Sequence, residues 1–207
     1  MARMSSVEAH AALVADHGPT LCHLALDSID HGLMHYAPIA VDLTAVPPLL
    51  REPRACFVTL TRQGRIRGCV GTPSAVKPLA EDLVQNAYSA GFRDPHHPPL
   101  EARERVDLAV SVAVLSSTEP VRSHTEEALL HALRPGVDGL LISDGRCRAL
   151  HLPSIWGTWA EPTEFLKQLK RKAGMAPDHW SSSFSAWRFT TASVTLSPDG
   201  TVTPSAR

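Results

Sequence analysis

The chain has 207 residues, is 43% hydrophobic and 20% charged, and carries a formal net charge of −1. That length suits one large domain or two small ones with enough chain to bury a core. The near-neutral charge makes no electrostatic demand for a nucleic-acid or membrane partner, and no apolar run reaches the roughly 18 residues of a spanning helix. The N-terminal stretch mixes Arg3, Glu8, His10 and Asp16 into its apolar residues. That is not a signal-peptide pattern, so the expected compartment is the cytoplasm. Cys22, Cys56, Cys69 and Cys147 are scattered with no CxxC spacing. A disulfide framework and a cysteine-rich zinc site are both disfavoured, and the default for each thiol is a small buried hydrophobe.

Residues 1–17 read as a loosely ordered, partly helical segment. From Pro19 to Met34, Leu21, Leu24, Ala25, Ile29 and Leu33 recur at helical spacing. Pro19 suits the first helical turn. The stretch "YAPIAVDLTAVPPLLREP" is punctuated by proline and reads as extended chain with a short turn. "RACFVTLTRQGRIRGCVGT" is a hairpin turned at Gln63-Gly64. "AVKPLAEDLVQNAYSAGF" is an amphipathic helix, "RDPHHPPL" a loop, and "VDLAVSVAVL" an apolar strand. "SHTEEALLHAL" predicts a helix capped by Ser123, with Glu126 completing a capping box. "GLLISDGRCRALHLP" is a second hairpin, turned at Asp144-Gly145. "EPTEFLKQLKRKAG" is a helix stopped by Gly174. "AWRFTTASVTL" is a last strand, and residues 198–207 form a frayed tail.

The hairpin, helix and strand recur at one offset when Gly64-Arg65 is aligned with Gly145-Arg146. Arg67 then falls on Arg148, Gly68 on Ala149 and Cys69 on Leu150. The expected fold is α+β: two repeated β-β-α-β units, about 54–117 and about 136–197, sharing one curled, barrel-like sheet flanked by helices. They form a single domain over 18–197.

Leu150 at the matching position means that sheet geometry does not itself demand a cysteine at 69. Alternation puts Arg67, Cys69 and Gly71 on one strand face. An arginine beside a thiol lowers its pKa where both face a cleft, and Gly68 and Gly71 admit a close backbone or ligand. The plainer alternative is a buried small residue with Arg67 in solvent. Asp94 is a candidate polar partner, because the helix leading to it follows the Cys69 strand directly.

The stretch "IRGCVGT" resembles the signature of the AMMECR domain family, whose prokaryotic members are called AmmeMemoRadiSam system protein A. "VDLTAVPPLLREPRACFVTL", "NAYSAGFRDPHHPPL", "LAVSVAVLSSTEPV", "GVDGLLISDGRCRALHLPSIW", "EFLKQLKRKAG" and "DHWSSSFSAWRFTT" are similar to its further blocks in the same order, from about residue 20 to about 196. The resemblance implies an α+β fold with two repeats around a barrel-like sheet, and an unsettled activity. It also implies a three-part system with a Memo-like protein and a radical S-adenosylmethionine enzyme. Carried over, it marks Arg67, Gly68, Cys69 and Gly71, then Asn86, Phe92 and Asp94, Ser111, Asp138-Gly139, Lys172, Gly174 and Trp180. His96-His97 and His151 depart from its usual pattern.

Other constellations carry less. His96, His97 and Asp94 lie together, but neighbouring side chains of an extended chain point apart, so a solvated loop is favoured over a metal site. A dyad of Cys69 with a loop histidine or His151 is conceivable. His151 falls on Val70 in the repeat, which places it on the opposite face. Lys167, Lys170 and Arg171 read as a solvated helix end, and the four tryptophans as packing. No P-loop, dinucleotide fingerprint or three-cysteine cluster is present, so no cofactor is assigned.

Two readings follow. In the first, the chain is an enzyme or enzyme component with a small-molecule or peptide site at RGCVG, between the repeats. Cys69 is the nucleophile or attachment point, Arg67 the cation, Asp94 the polar partner, and Gly68, Gly71, Asn86, Ser111 and Lys172 contribute binding. In the second, the chain is a non-catalytic interaction module and RGCVG is a packing or docking motif.

Overall fold

The computed structural model describes residues 6–205. In chain order the elements are α1 (Ser6–His35), β1 (Cys56–Arg62), β2 (Arg65–Gly71), α2 (Leu79–Phe92), β3 (Leu108–Leu115), β4 (Glu119–Pro120), α3 (Glu126–Ala132), β5 (Gly139–Asp144), β6 (Cys147–His151), α4 (Pro162–Lys172), β7 (Ser185–Phe189), β8 (Thr191–Leu196) and β9 (Val202–Ser205). Short 3-10 turns at Pro48–Arg51, Ala102–Asp107 and Pro153–Gly157 join them. The fold is mixed α and β, as expected. The described residues divide into two compact units, 6–115 with 192–205, and 116–191.

The first unit is an open five-stranded sheet in the order β2-β1-β3-β8-β9. Strands β1–β2, β1–β3 and β8–β9 pair antiparallel. Alternate residues of its inner strands are buried: Val58 and Leu60, then Val110, Val112 and Val114, then Val194 and Leu196. They meet Leu13, Leu21, Ala25 and Ile29 of α1 and Leu79, Leu83 and Ala87 of α2 in one core cluster. The helix does not begin at Pro19. It runs through it, with the proline inside. An interior proline costs about 3 kcal/mol, and burial of Leu13 and Val14 before it, beside Leu21 and Cys22 after it, offsets that cost. The tail is not frayed up to residue 205, because β9 pairs with β8 along Ser193–Leu196.

The second unit is a four-stranded sheet in the order β4-β7-β5-β6. Leu140 and Ile142 of β5 pack on Leu129 of α3, Phe165, Leu166 and Leu169 of α4, and Trp156. The Trp156 ring stacks on Phe165 with centroids 3.9 Å apart, and its Nε1–H donates to the Asp138 carbonyl at 2.7 Å. The helix cap is Thr125 rather than Ser123. Its Oγ1 accepts from the Ala128 N–H, which makes Glu126 the first helical residue.

Lys170 is not on a solvated face. It is fully buried, and its Nζ donates to Glu126 Oε2 at 2.6 Å and to the Pro177 carbonyl at 3.3 Å, over the rings of Trp180 and Phe184. The hydrophobic seam of α4 continues through position 170, so a buried cation needed a carboxylate from α3.

A single shared, barrel-like sheet is not what forms. There are two sheets, and neither closes into a barrel. The expected last strand is broken at Thr190: β7 joins the second unit's sheet and β8 the first unit's. Ser116 stands opposite that break. Its N–H donates to the Thr190 carbonyl at 2.9 Å and its Oγ accepts from the Thr190 N–H at 3.0 Å, which satisfies the groups that leave both ladders. No helix among the described residues is long and apolar enough to cross a membrane.

Candidate functional site

The β1–β2 hairpin turns on Gln63 (φ 51°) and Gly64 (φ 74°), the two positive-φ residues of a tight two-residue turn. Past the turn, Thr61 pairs with Ile66 but Leu60 pairs with Gly68. Arg67 is therefore the extra residue of a β-bulge, with no partner on β1. A bulge re-aims a side chain and breaks the alternation. That takes Arg67 off the face that Cys69 and Gly71 still share.

Arg67 turns to the 3-10 segment. Its Nε donates to Glu104 Oε1 at 2.7 Å and its Nη2 to Glu104 Oε2 at 2.9 Å and to the Pro99 carbonyl at 3.3 Å. Nη1 is buried without a hydrogen-bond partner. The Arg67 guanidinium holds the Glu104 carboxyl down at about 2. Arg67 is thus an internal ion-pair partner, not a cation offered to substrate.

Cys69 stands opposite Thr59. Its N–H points off the sheet edge and donates to Asp94 Oδ2 at 2.7 Å. Its pairing with Thr59 is then the closer, non-hydrogen-bonded kind, and Sγ lies 3.2 Å from Thr59 Oγ1. The residue is exposed. Thr59 in turn stands opposite Ser111, whose Oγ lies 2.7 Å from Thr195 Oγ1. Cys69, Thr59, Ser111 and Thr195 so form one polar row across β2, β1, β3 and β8, on the face away from the core.

Asp94 reaches Cys69 through the backbone, not the thiol. Its Oδ1 accepts from the His96 N–H at 2.8 Å. Burial pushes its pKa up, but the Cys69 and His96 N–H donors outweigh that and hold the carboxyl below the usual range. Asp94 thereby caps the exposed edge of β2 and fixes the start of the following loop.

The two glycines serve packing. A Cβ on Gly68 would lie 2.1 Å from the Ala90 carbonyl oxygen of α2. One on Gly71 would lie 2.2 Å from the Phe57 ring and 2.6 Å from the Cys56 carbonyl oxygen. Asn86 is buried and likewise structural. Its Nδ2 donates to Asp82 Oδ2 at 2.9 Å and to the Cys56 carbonyl at 3.2 Å, and its Oδ1 accepts from Thr72 Oγ1 at 3.3 Å. Burial raises the pKa of Asp82 and, most strongly, of Cys56.

Lys172 belongs to the second unit, where its Nζ donates to the Leu150 carbonyl at 3.1 Å. His151 is buried there between Trp159 and Phe165. Burial first, and Lys172 second, push its pKa down to about 4. Among the described residues no group of three or more His, Cys, Asp or Glu is placed to hold a metal ion.

Thr59, Glu104 and Thr195 were not singled out from the sequence. Glu104 had a readable signal: Glu101 and Glu104 form a reciprocal capping box at the 3-10 segment.

The AMMECR1 family profile matches residues 22–194. A protein of Methanothermobacter thermautotrophicus is 38% identical over 172 residues, 82% of this chain and 88% of that one. A protein of Thermofilum pendens is 35% identical over 183 residues, 81% and 84% of the two chains. The crystal structure of an uncharacterized protein, PH0010 from Pyrococcus horikoshii, superposes with a TM-score of 0.86 at 30% identity, over 93% of this chain and 98% of that one.

Proposed function

The chain belongs to the AMMECR1 family, and from that premise we propose that it is one component of a three-part system with a Memo-like protein and a radical S-adenosylmethionine enzyme. Its chemical centre is Cys69. One observation carries this reading: Cys69 is the exposed member of a motif whose other residues are held by packing. Gly68 makes room for α2, Gly71 for Phe57, Arg67 pairs with Glu104, and Asp94 fixes the Cys69 backbone. A thiol so placed, beside the Thr59, Ser111 and Thr195 hydroxyls, is a nucleophile or attachment point for a small molecule or peptide. The hydroxyl row supplies the hydrogen bonds that orient it. Arg67, Gly68, Gly71, Asn86 and Asp94 position the thiol rather than touch substrate.

A second reading has its own support. The same packing explains RGCVG as a docking or structural motif whose cysteine is simply small. The two readings separate on a tagged chain recovered from its own cells. The first expects the Memo-like and radical S-adenosylmethionine proteins to co-purify, and an added mass on Cys69 that Cys69→Ser lacks. Co-purification unchanged in Cys69→Ser, with Cys69 unmodified, favours the docking reading. Recovery of neither protein sinks the three-part system.

We further propose that the two units descend from one duplicated β-β-α-β element. The support is the matching strand orders β2-β1-β3 and β6-β5-β7, with the hairpin strand β1 or β5 central in each. Leu60 pairs with Gly68 as Ile142 does with Ala149, and Thr59 with Cys69 as Leu141 does with Leu150. The second hairpin turns one residue later than aligned, on Gly145-Arg146, and has no residue matching the bulged Arg67.

A further inference from the structure

The last turn of α1 carries His31 and His35, four residues apart and so on one helix face. Their ring centroids lie 4.4 Å apart, with the planes tilted by 40°. The Nδ1 of half-buried His31 lies 2.8 Å from the Ala37 carbonyl oxygen. A carbonyl oxygen only accepts, so Nδ1 carries a proton, and in the neutral ring Nε2 is the nitrogen with the lone pair. A carbonyl that accepts from one ring nitrogen fixes the tautomer of a histidine that ligates a metal through the other. His35 is exposed, with its ring packed beside that of His31.

The helix end beneath the pair is held in place. The rings of Phe92 and Tyr88 pack against Gly32, where a Cβ would lie 2.4 Å and 2.9 Å from them, and Tyr88 Oη donates to the Tyr36 carbonyl at 2.6 Å.

We propose that His31 and His35 form a surface site for a late first-row divalent cation, bound through Nε2 of His31 and a ring nitrogen of His35. Paired imidazoles suit zinc, copper and nickel. Two histidines at this spacing are how a helix supplies two zinc ligands. With no third His, Cys, Asp or Glu in reach among the described residues, the other positions fall to water or to a donor on another molecule. The site is therefore open and exchangeable rather than a closed structural centre. Asp30, on the preceding turn, is engaged by Arg105 at 2.6 Å.

The test is calorimetric titration of the untagged full-length chain with Zn(II), repeated on His35→Ala, His31→Ala and Cys69→Ser. One ion per chain is expected, with binding kept in Cys69→Ser, weakened roughly tenfold or more by either histidine variant, and lost on acidification as protons compete for the imidazoles. His31→Ala also removes the bond to Ala37, so His35→Ala, at an exposed position, is the deciding variant. No binding, or binding unchanged by His35→Ala, overturns the proposal. Loss in Cys69→Ser alone places the ion on the thiol and overturns it as well.

Discussion

Gly68→Ala tests whether RGCVG is a rigid frame. The added Cβ would sit 2.1 Å from the Ala90 carbonyl oxygen, which is backbone of α2 and has no flexible end to move aside. To reach ordinary contact the helix or the edge strand must shift by more than 1 Å, and both are packed on the unit's core. Overpacking of this kind costs about 3 kcal/mol or more. For a chain of this size, each kcal/mol lowers Tm by about 2–4 °C, so the variant should melt roughly 6–12 °C lower. Gly157→Ala is the control. Nothing lies within 4 Å of its Cβ position and its φ is not positive, so its change should stay within about 0.5 kcal/mol. Thermal unfolding followed by circular dichroism reads both. A Gly68→Ala protein that melts with wild type would show that strand and helix are not in the contact described, and the packing account of the motif would fall.

Two further variants probe its electrostatics. Glu104→Gln removes the partner of a nine-tenths buried Arg67, at a cost of about 3 kcal/mol at neutral pH. Because the Glu104 pKa is lowered to about 2, its contribution is present above the unfolded value of about 4.3 and disappears as pH falls toward 2. Wild-type and variant urea midpoints should therefore converge on acidification, and a gap that stays constant with pH would contradict the assignment. Asp82→Asn should behave in the opposite sense. Burial raises the Asp82 pKa, so wild type is favoured below the unfolded value of about 3.9 and loses that advantage as pH rises. The amide keeps an acceptor for Asn86 without a buried charge. At pH 7 the variant should be as stable as wild type or more so, and its relative standing should decline as pH falls from the raised Asp82 value toward about 3.9 and stay level below that. A large loss at pH 7 would mean that the carboxylate charge itself is needed.

Periodicity revealed most elements, because the apolar residues of β1, β3, α2 and α4 recur at strand or helix spacing and lie in the two cores. It failed where tertiary packing overrode a local signal. Pro19 reads as a helix start, yet core residues on both sides carry the helix through it. Lys170 reads as solvent-facing beside Lys167 and Arg171, yet it lies on the buried seam with Glu126 as its partner.

The division into two sheets was not readable in "AWRFTTASVTL", whose β propensity runs straight across the break at Thr190. At the candidate site, Gln63-Gly64 predicts a two-residue turn. Counting back from it without a bulge sets Thr59 opposite Gly68. The extra residue at Arg67 shifts the register so that Thr59 meets Cys69. No residue type announces that bulge, so the hydroxyl beside the thiol and the true partner of Arg67 stayed hidden.

The most direct test of the account is alkylation of the native protein at a series of pH values, with each cysteine read by mass spectrometry. Cys69 should be modified while the protein is folded. Cys22, buried with its thiol pushed up to about 11, and Cys56, buried and pushed up as well, should react only on unfolding. If Cys69 stays silent until the protein unfolds, it is a packing residue and the proposed chemical centre does not exist.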